Sequence, residues 1–217
     1  MMTENGVTGD IVYAFIDGYN FYYSINYPDL LPLGWCNFTL LARRLAQRAF
    51  QLSEVACVKY YTASVDPKLR ILEGEPDRQK MWLDALHLEA PEVRVIKGYF
   101  KKGSGKRREE KQTDVNLATD MVMDAATFDR AILVSDDHDF IPAIQKVCVA
   151  LGREAAIFFP FGAKGYRLPY AATDWLTEED LSESRMRDEI LKPDGTVIRW
   201  EDYLRLKKGR YSSSRRG

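Results

Sequence analysis

Short apolar runs along the chain alternate with longer stretches in which apolar residues recur every three or four positions. Five runs read as strands: residues 11–16, 54–62, 92–96, 131–134 and 154–159. Those at 11–16 and 131–134 are apolar on both faces, the pattern of a parallel sheet covered on each side. Between the strands, Asn37 caps a run with Phe38, Leu41, Leu45 and Ala49 at helical spacing, and Pro76 opens a helix to about Leu88. Thr113 or Asp114 caps a long helix through Ala126, and residues 140–151 form a further amphipathic run. Strands alternating with helices predict an α/β fold with a mostly parallel central sheet. Asp17-Gly18-Tyr19-Asn20 reads as a turn, and the aromatic run Phe21, Tyr22, Tyr23, Tyr27 is broken into loop by Pro28 and Pro32. Residues 1–9 read as a flexible leader, 10–181 as the domain, and 182–217 as a charged C-terminal extension with a basic tail, in which 196–200 forms a short strand.

Composition narrows the function classes. The 217 residues carry 31 basic and 32 acidic side chains, a net charge of −1, so any affinity for nucleic acid must come from local basic patches. The three cysteines are scattered and odd in number, and there are two histidines, which argues against a disulfide scaffold or a zinc site and for a cytoplasmic location. No run of about 18 apolar residues predicts a membrane span.

The run Ile132-Leu133-Val134 stops in Ser135-Asp136-Asp137-His138-Asp139, three aspartates within four residues. Carboxylates this close repel unless a cation binds them or one takes up a proton. In an open parallel sheet, ligands bind beyond the carboxyl ends of the strands. Asp17 ends the first strand, Asp137 and Asp139 follow the fourth, and Asp114 sits at the start of the helix entering the fourth. Oxygen donors without histidine or thiol suit Mg²⁺ or Mn²⁺, which orient and activate water at a phosphodiester. Singly, each aspartate has a plain structural reading: Asp114 and Asp139 as helix caps, Asp17 as a turn residue. Their convergence favours metal binding. Asn20 and Ser135 support a metal water or a carboxylate, or else cap local turns. Asp136 points to solvent or holds a metal water. His138 is an exposed loop residue, or contacts phosphate or transfers a proton. Asp120 reads as surface or supporting, and Asp124 and Asp129 as solvated charges.

The stretch from Lys101 to Lys111 carries six basic and two acidic side chains around glycines and a serine. As a cationic loop ahead of Asp114, its Lys101, Lys102, Lys106, Arg107, Arg108 and Lys111 suit capture of a phosphate backbone, though charge runs are commonly just solvated. Tyr19, Tyr22, Tyr23, Tyr99 and Phe100 are candidates for stacking on bases or for packing.

Phe15-Ile16-Asp17-Gly18-Tyr19-Asn20 resembles the opening strand motif of NYN domains, a branch of the PIN-like nuclease superfamily. Glu110-Lys111-Gln112-Thr113-Asp114-Val115, with Leu117 and Asp120, resembles the family's lysine-x-x-aspartate helix start. Leu133 to Phe140, with Pro142, is similar to its serine-glycine-aspartate-serine-aspartate-phenylalanine strand end. The resemblance covers about residues 10–178 and departs at Asp136, where the family has glycine, and at His138. It implies a PIN-like three-layer α/β/α sandwich and a Mg²⁺- or Mn²⁺-dependent ribonuclease. Asp17, Asp114, Asp137 and Asp139 would carry metal and catalysis, with Asn20, Ser135 and Asp136 in support. The expected partner is single-stranded or structured RNA, not a membrane, with a homodimer left open. The alternative is a catalytically inactive NYN-fold module binding RNA or a protein partner. A phosphatase or nucleotide-binding protein is disfavoured, because neither a glycine-rich phosphate loop nor an aspartate-x-aspartate-x-threonine motif is present.

Overall fold

The computed structural model describes residues 10–25, 30–64, 75–102 and 108–205. Its main sheet runs β4-β3-β2-β1-β5-β6-β7, with β1 Val12–Asp17, β2 Cys57–Ser64, β3 Val93–Lys102, β4 Arg108–Lys111, β5 Arg130–Val134, β6 Glu154–Phe159 and β7 Ala172–Trp175. All neighbours are parallel except β3 and β4. The helices are α1 Gly18–Ser24, α2 Phe38–Phe50, α3 Glu75–Glu89, α4 Thr113–Met123, α5 Ile141–Gln145 and α6 Glu178–Ser182. A small hairpin pairs β8 Glu189–Leu191 with β9 Val197–Arg199, the latter within the short strand expected at 196–200.

Alternation along the strands divides the core into two layers. Val12, Ala14 and Ile16 of β1, with Ile132 and Val134 of β5, face Leu41 and Leu45 of α2 and Trp82 and Leu86 of α3. Phe15 and Leu133 face the other way, onto Leu117 and Met121 of α4 and Ile144 of α5. Helices therefore cover both faces, a PIN-like α/β/α sandwich. The chain winds outward from β1 to β2 and β3 on one side of the sheet and from β5 to β6 on the other. The carboxyl ends of β1 and β5 thus form the switch point.

Several elements differ from the sequence reading. Asp17-Gly18-Tyr19-Asn20 is the start of a helix, not a free turn: the Asp17 side chain accepts from the backbone N–H groups of Tyr19 and Asn20 and caps α1. The expected basic loop is largely strand: Lys101 and Lys102 end β3, and Arg108 to Lys111 form β4 against it. Lys106 and Arg107 lie outside the described residues, as do residues 1–9 and 206–217, and so do the side chains of Lys101, Lys102, Arg108 and Lys111. The run after Phe140 is a short α-helix continued by a π-turn, Lys146–Ala150. Neither Thr113 nor Asp114 caps α4; Gln112 precedes it in the left-handed conformation, φ 75°.

The charged stretch after Leu181 adds Met186, Ile190, Ile198, Trp200 and Tyr203 to the first layer of the core. Trp200 stacks on Tyr203 at 5.3 Å and contacts Trp35 at 5.4 Å, and the Trp35 indole donates to the Arg187 carbonyl at 2.8 Å. Burying an indole in such a cluster predicts that Trp200→Ala costs about 3–5 kcal/mol in urea unfolding. A loss below about 1 kcal/mol would show that the C-terminal stretch packs only loosely on the domain.

Candidate active site

The site begins with one buried carboxylate. Asp17, 2% exposed, accepts at Oδ1 from the backbone N–H groups of Tyr19 and Asn20, both at 3.1 Å. At Oδ2 it accepts from Asn20 Nδ2 and Ser135 Oγ, both at 2.8 Å. Burial pushes its carboxyl up from the ordinary aspartate range, and these four donors pull against that shift. A carboxylate offers about four lone-pair positions, and all four are in use. Gly18 permits this cap, because a Cβ there would run into the Tyr61 carbonyl and lie 2.6 Å from the Tyr60 ring.

Ser135, fully buried, also accepts from the Asp137 N–H at 3.1 Å. Asn20 Oδ1 accepts from the Asp136 N–H at 3.4 Å. Asp137 Oδ1 in turn accepts from the Asp139 N–H at 2.9 Å, so Asp137 caps the 3-10 turn His138–Phe140. The cap expected at Asp139 is therefore Asp137, and the Asp139 carboxylate is exposed. Asn20 and Ser135 tie the ends of β1 and β5 together. Asp136 Oδ1 accepts from the Gly165 N–H at 3.2 Å, so Asp136 anchors the segment after β6.

Asp114, in the first turn of α4, completes the group. Its side chain is open to water, yet partial burial and the charges of Asp17, Asp137 and Asp139 raise its pKa to about 6. Four aspartates from three parts of the chain thus share one field. Among the described residues, however, no three Asp, Glu, His or Cys side chains stand close enough to form a ready metal cage.

Sequence reasoning missed the support beneath α4. Lys59, buried on β2, donates to Asp120 at 2.9 Å and pairs with Asp124 at 2.6 Å, while the Tyr61 hydroxyl donates to Asp120 at 2.8 Å. Burial works against the Lys59 ammonium, but Asp124 and Asp120 outweigh it and its pKa is raised. Asp124 is therefore not a solvated charge, and Asp120 takes the supporting role of its two readings; both fix the helix that carries Asp114. Asp129, also read as solvated, accepts from the Ile11 N–H and pairs with Arg153 at 3.1 Å. A lysine inside the β-run 54–62 was the available signal, since an unpaired ammonium is rarely buried.

A sheet of this winding with carboxylates gathered at its switch point defines a PIN-like α/β domain. The chain belongs to the NYN domain family, which matches residues 12–178. NYN domains are generally nuclease-like hydrolases associated with RNA. The 6-hydroxy-3-succinoylpyridine 3-monooxygenase HspA of Pseudomonas putida (strain DSM 28022 / S16) is 30% identical over 168 residues, 61% of this chain. The chain spans about half of that relative, 54% of its length. A crystal structure of a protein of unknown function from Vibrio parahaemolyticus RIMD 2210633 shares the fold, with a TM-score of 0.55 at 21% identity over 82% of this chain and 98% of that one. No helix among the described residues is long and apolar enough to cross a membrane.

The raised Asp114 pKa has a consequence for stability. An unfolded aspartate ionises near 3.8 and this one at about 6, so between those values the folded chain binds more protons and loses stability as pH rises. In chelator, Asp114→Asn should raise stability at pH 7–8 by about 1 kcal/mol or less, the exposed side chain being screened. The gain should fall away below about pH 6 and vanish by about pH 3, where the carboxyl is protonated in both states. A fall in melting temperature at pH 8 would show instead that the carboxylate is paired.

Proposed function

We propose that the chain is a Mg²⁺- or Mn²⁺-dependent cytoplasmic ribonuclease hydrolysing RNA phosphodiesters. The observation that carries this reading is that Asp17, Asp137 and Asp139 stand near enough to Asp114 for their charges to act on it at the switch point, the ligand-binding edge of such sheets. The donors are carboxylate oxygens, with no thiol or imidazole among the four, and fit a hard divalent cation. Such an ion, when bound, supplies an activated water and neutralises the oxygens of the reacting phosphate.

The chain's own groups do the rest. Asp114, Asp137 and Asp139 would hold the ion, and Asp17 would either give up one hydrogen bond to join them or act through water. Ser135 and Asn20 keep the Asp17 carboxylate fixed while charge changes beside it. The chemistry that the ion would supply would leave a 5′-phosphate and a 3′-hydroxyl. The basic residues Lys101, Lys102, Lys106, Arg107, Arg108 and Lys111, which precede Asp114 in sequence, hold the RNA backbone. The Pseudomonas relative is named a 6-hydroxy-3-succinoylpyridine 3-monooxygenase; the hydrolytic reading rests on the carboxylates instead.

A second reading, a non-catalytic module binding RNA or a protein partner, is favoured by the saturated hydrogen bonding of Asp17. Asp137→Asn separates the two. Labelled RNA with Mn²⁺ should be cleaved by the unaltered chain and roughly 100-fold or more slowly by the variant. Equal cleavage by both sinks the catalytic assignment, and RNA binding without cleavage by either establishes the module.

Replacing the six basic residues by glutamine gives a separate test of the RNA contact. Each lost phosphate contact should lower the slope of log affinity against log salt by about 0.7 for a single strand. An unchanged slope removes these residues from the interface.

A further inference from the structure

We propose that His138 and Tyr166 form a stacking platform for an unpaired base, so that the substrate strand is single-stranded beside the carboxylates. This rests on the ribonuclease reading. His138 stands between Asp137 and Asp139, exposed, with its ring centroid 4.6 Å from that of Tyr166. Tyr166 packs on Phe159 at 4.9 Å, and Phe159 packs on Trp175 at 5.3 Å. Phe159 is fully buried. A column of rings therefore rises from the core and ends in an exposed imidazole at the edge of the site.

The segment that brings Tyr166 there is built for the purpose. The Gly165 N–H donates to Asp136, and the Trp175 indole donates to the Ala163 carbonyl at 3.2 Å. Gly165 takes φ +66°, and a Cβ there would lie 2.7 Å from Trp175 and 2.8 Å from Phe159, so only glycine fits. Burial and the charges of Asp136 and Asp137 push the Tyr166 phenol up to about 12. The two departures from the family motif, Asp136 and His138, thus belong to one device: Asp136 holds the segment that supports the His138 ring.

An exposed ring held at 44° against a tyrosine can take a flat partner. The face of a nucleobase supplies one with little dependence on sequence. In a duplex those faces are buried in the stack, so the platform selects unpaired nucleotides.

The test uses the full chain and a single-stranded RNA carrying 2-aminopurine, with Ca²⁺ in place of Mn²⁺ during binding. Fluorescence should be quenched on binding. His138→Ala should lose the quench and roughly tenfold in affinity, Tyr166→Leu should do the same, and His138→Phe should restore both. Failure of His138→Phe to restore them would overturn the platform in favour of a phosphate contact or proton transfer. Unchanged quench and affinity in His138→Ala, with RNA still cleaved by the unaltered chain in Mn²⁺, overturns the platform and leaves the ribonuclease standing. Duplex RNA bound as tightly as single strands also overturns the platform. No binding and no cleavage of RNA by the unaltered chain overturns both.

Discussion

The hydrogen bond from Ser135 Oγ to Asp17 Oδ2 is the contact on which the site depends. β1 and β5 lie side by side with Ile16 opposite Val134. One residue further, the chains must part, one into α1 and the other into the acidic turn. Ser135 sits at that fork, fully buried. By donating to Asp17 and accepting from Asp137 it converts two strand ends into one rigid corner. It also supplies one of the four donors that keep a buried carboxylate tolerable, since an uncompensated charge there would cost several kcal/mol (of order 3–5).

The remaining parts reach this corner from opposite layers. α1 arrives from the first layer and is capped by Asp17 itself, which requires a glycine next in sequence because the helix starts against the β2 backbone. α4 arrives from the second layer, and its first turn carries Asp114. Its register on the sheet is set lower down, where Lys59 and Tyr61 of β2 meet Asp120. A helix whose lower end is tied by a charge pair and whose apolar face packs on Phe15 and Leu133 has little freedom to slide. The repulsion felt by Asp114 is therefore held in the structure, not relaxed by moving the helix away.

How much of this was legible follows from the range of each interaction. The central strands and α2, α3 and α4 were visible because burial imposes period and run length locally. The four aspartates could be grouped because the switch-point rule converts strand order into proximity. α1 was misread because its signals, Asp-Gly and an aromatic run, serve turns as well as caps; only the close approach to Tyr61 decides. β4 and β7 are edge strands: β4 reads Arg-Glu-Glu-Lys and β7 Ala-Thr-Asp-Trp, and an edge strand needs no apolar face. The tie of Asp136 to Gly165 spans 29 residues and the pairing of Lys59 with Asp120 spans 61, and no local pattern announces either. The buried residues after Leu181 are spaced among charges, so their packing on Trp35 was invisible to composition.

The electrostatics of the corner explain why its carboxylates are not alike. Asp17 is buried and fully hydrogen-bonded: burial pushes its carboxyl up, and the four donors offset part of that shift. Asp114 and Asp139 are exposed, and the pressure of their neighbours on Asp114 is relieved only by a proton or by a positive ion. On the ribonuclease reading this division is useful. The saturated Asp17 sets the position of the others, and the exposed ones are the first that a cation with open positions for phosphate oxygens would meet. A closed cage of all four would leave fewer open positions for phosphate oxygens. The looser arrangement keeps the field and places the cost of like charges on the side chains that are easiest for an incoming ion to reach.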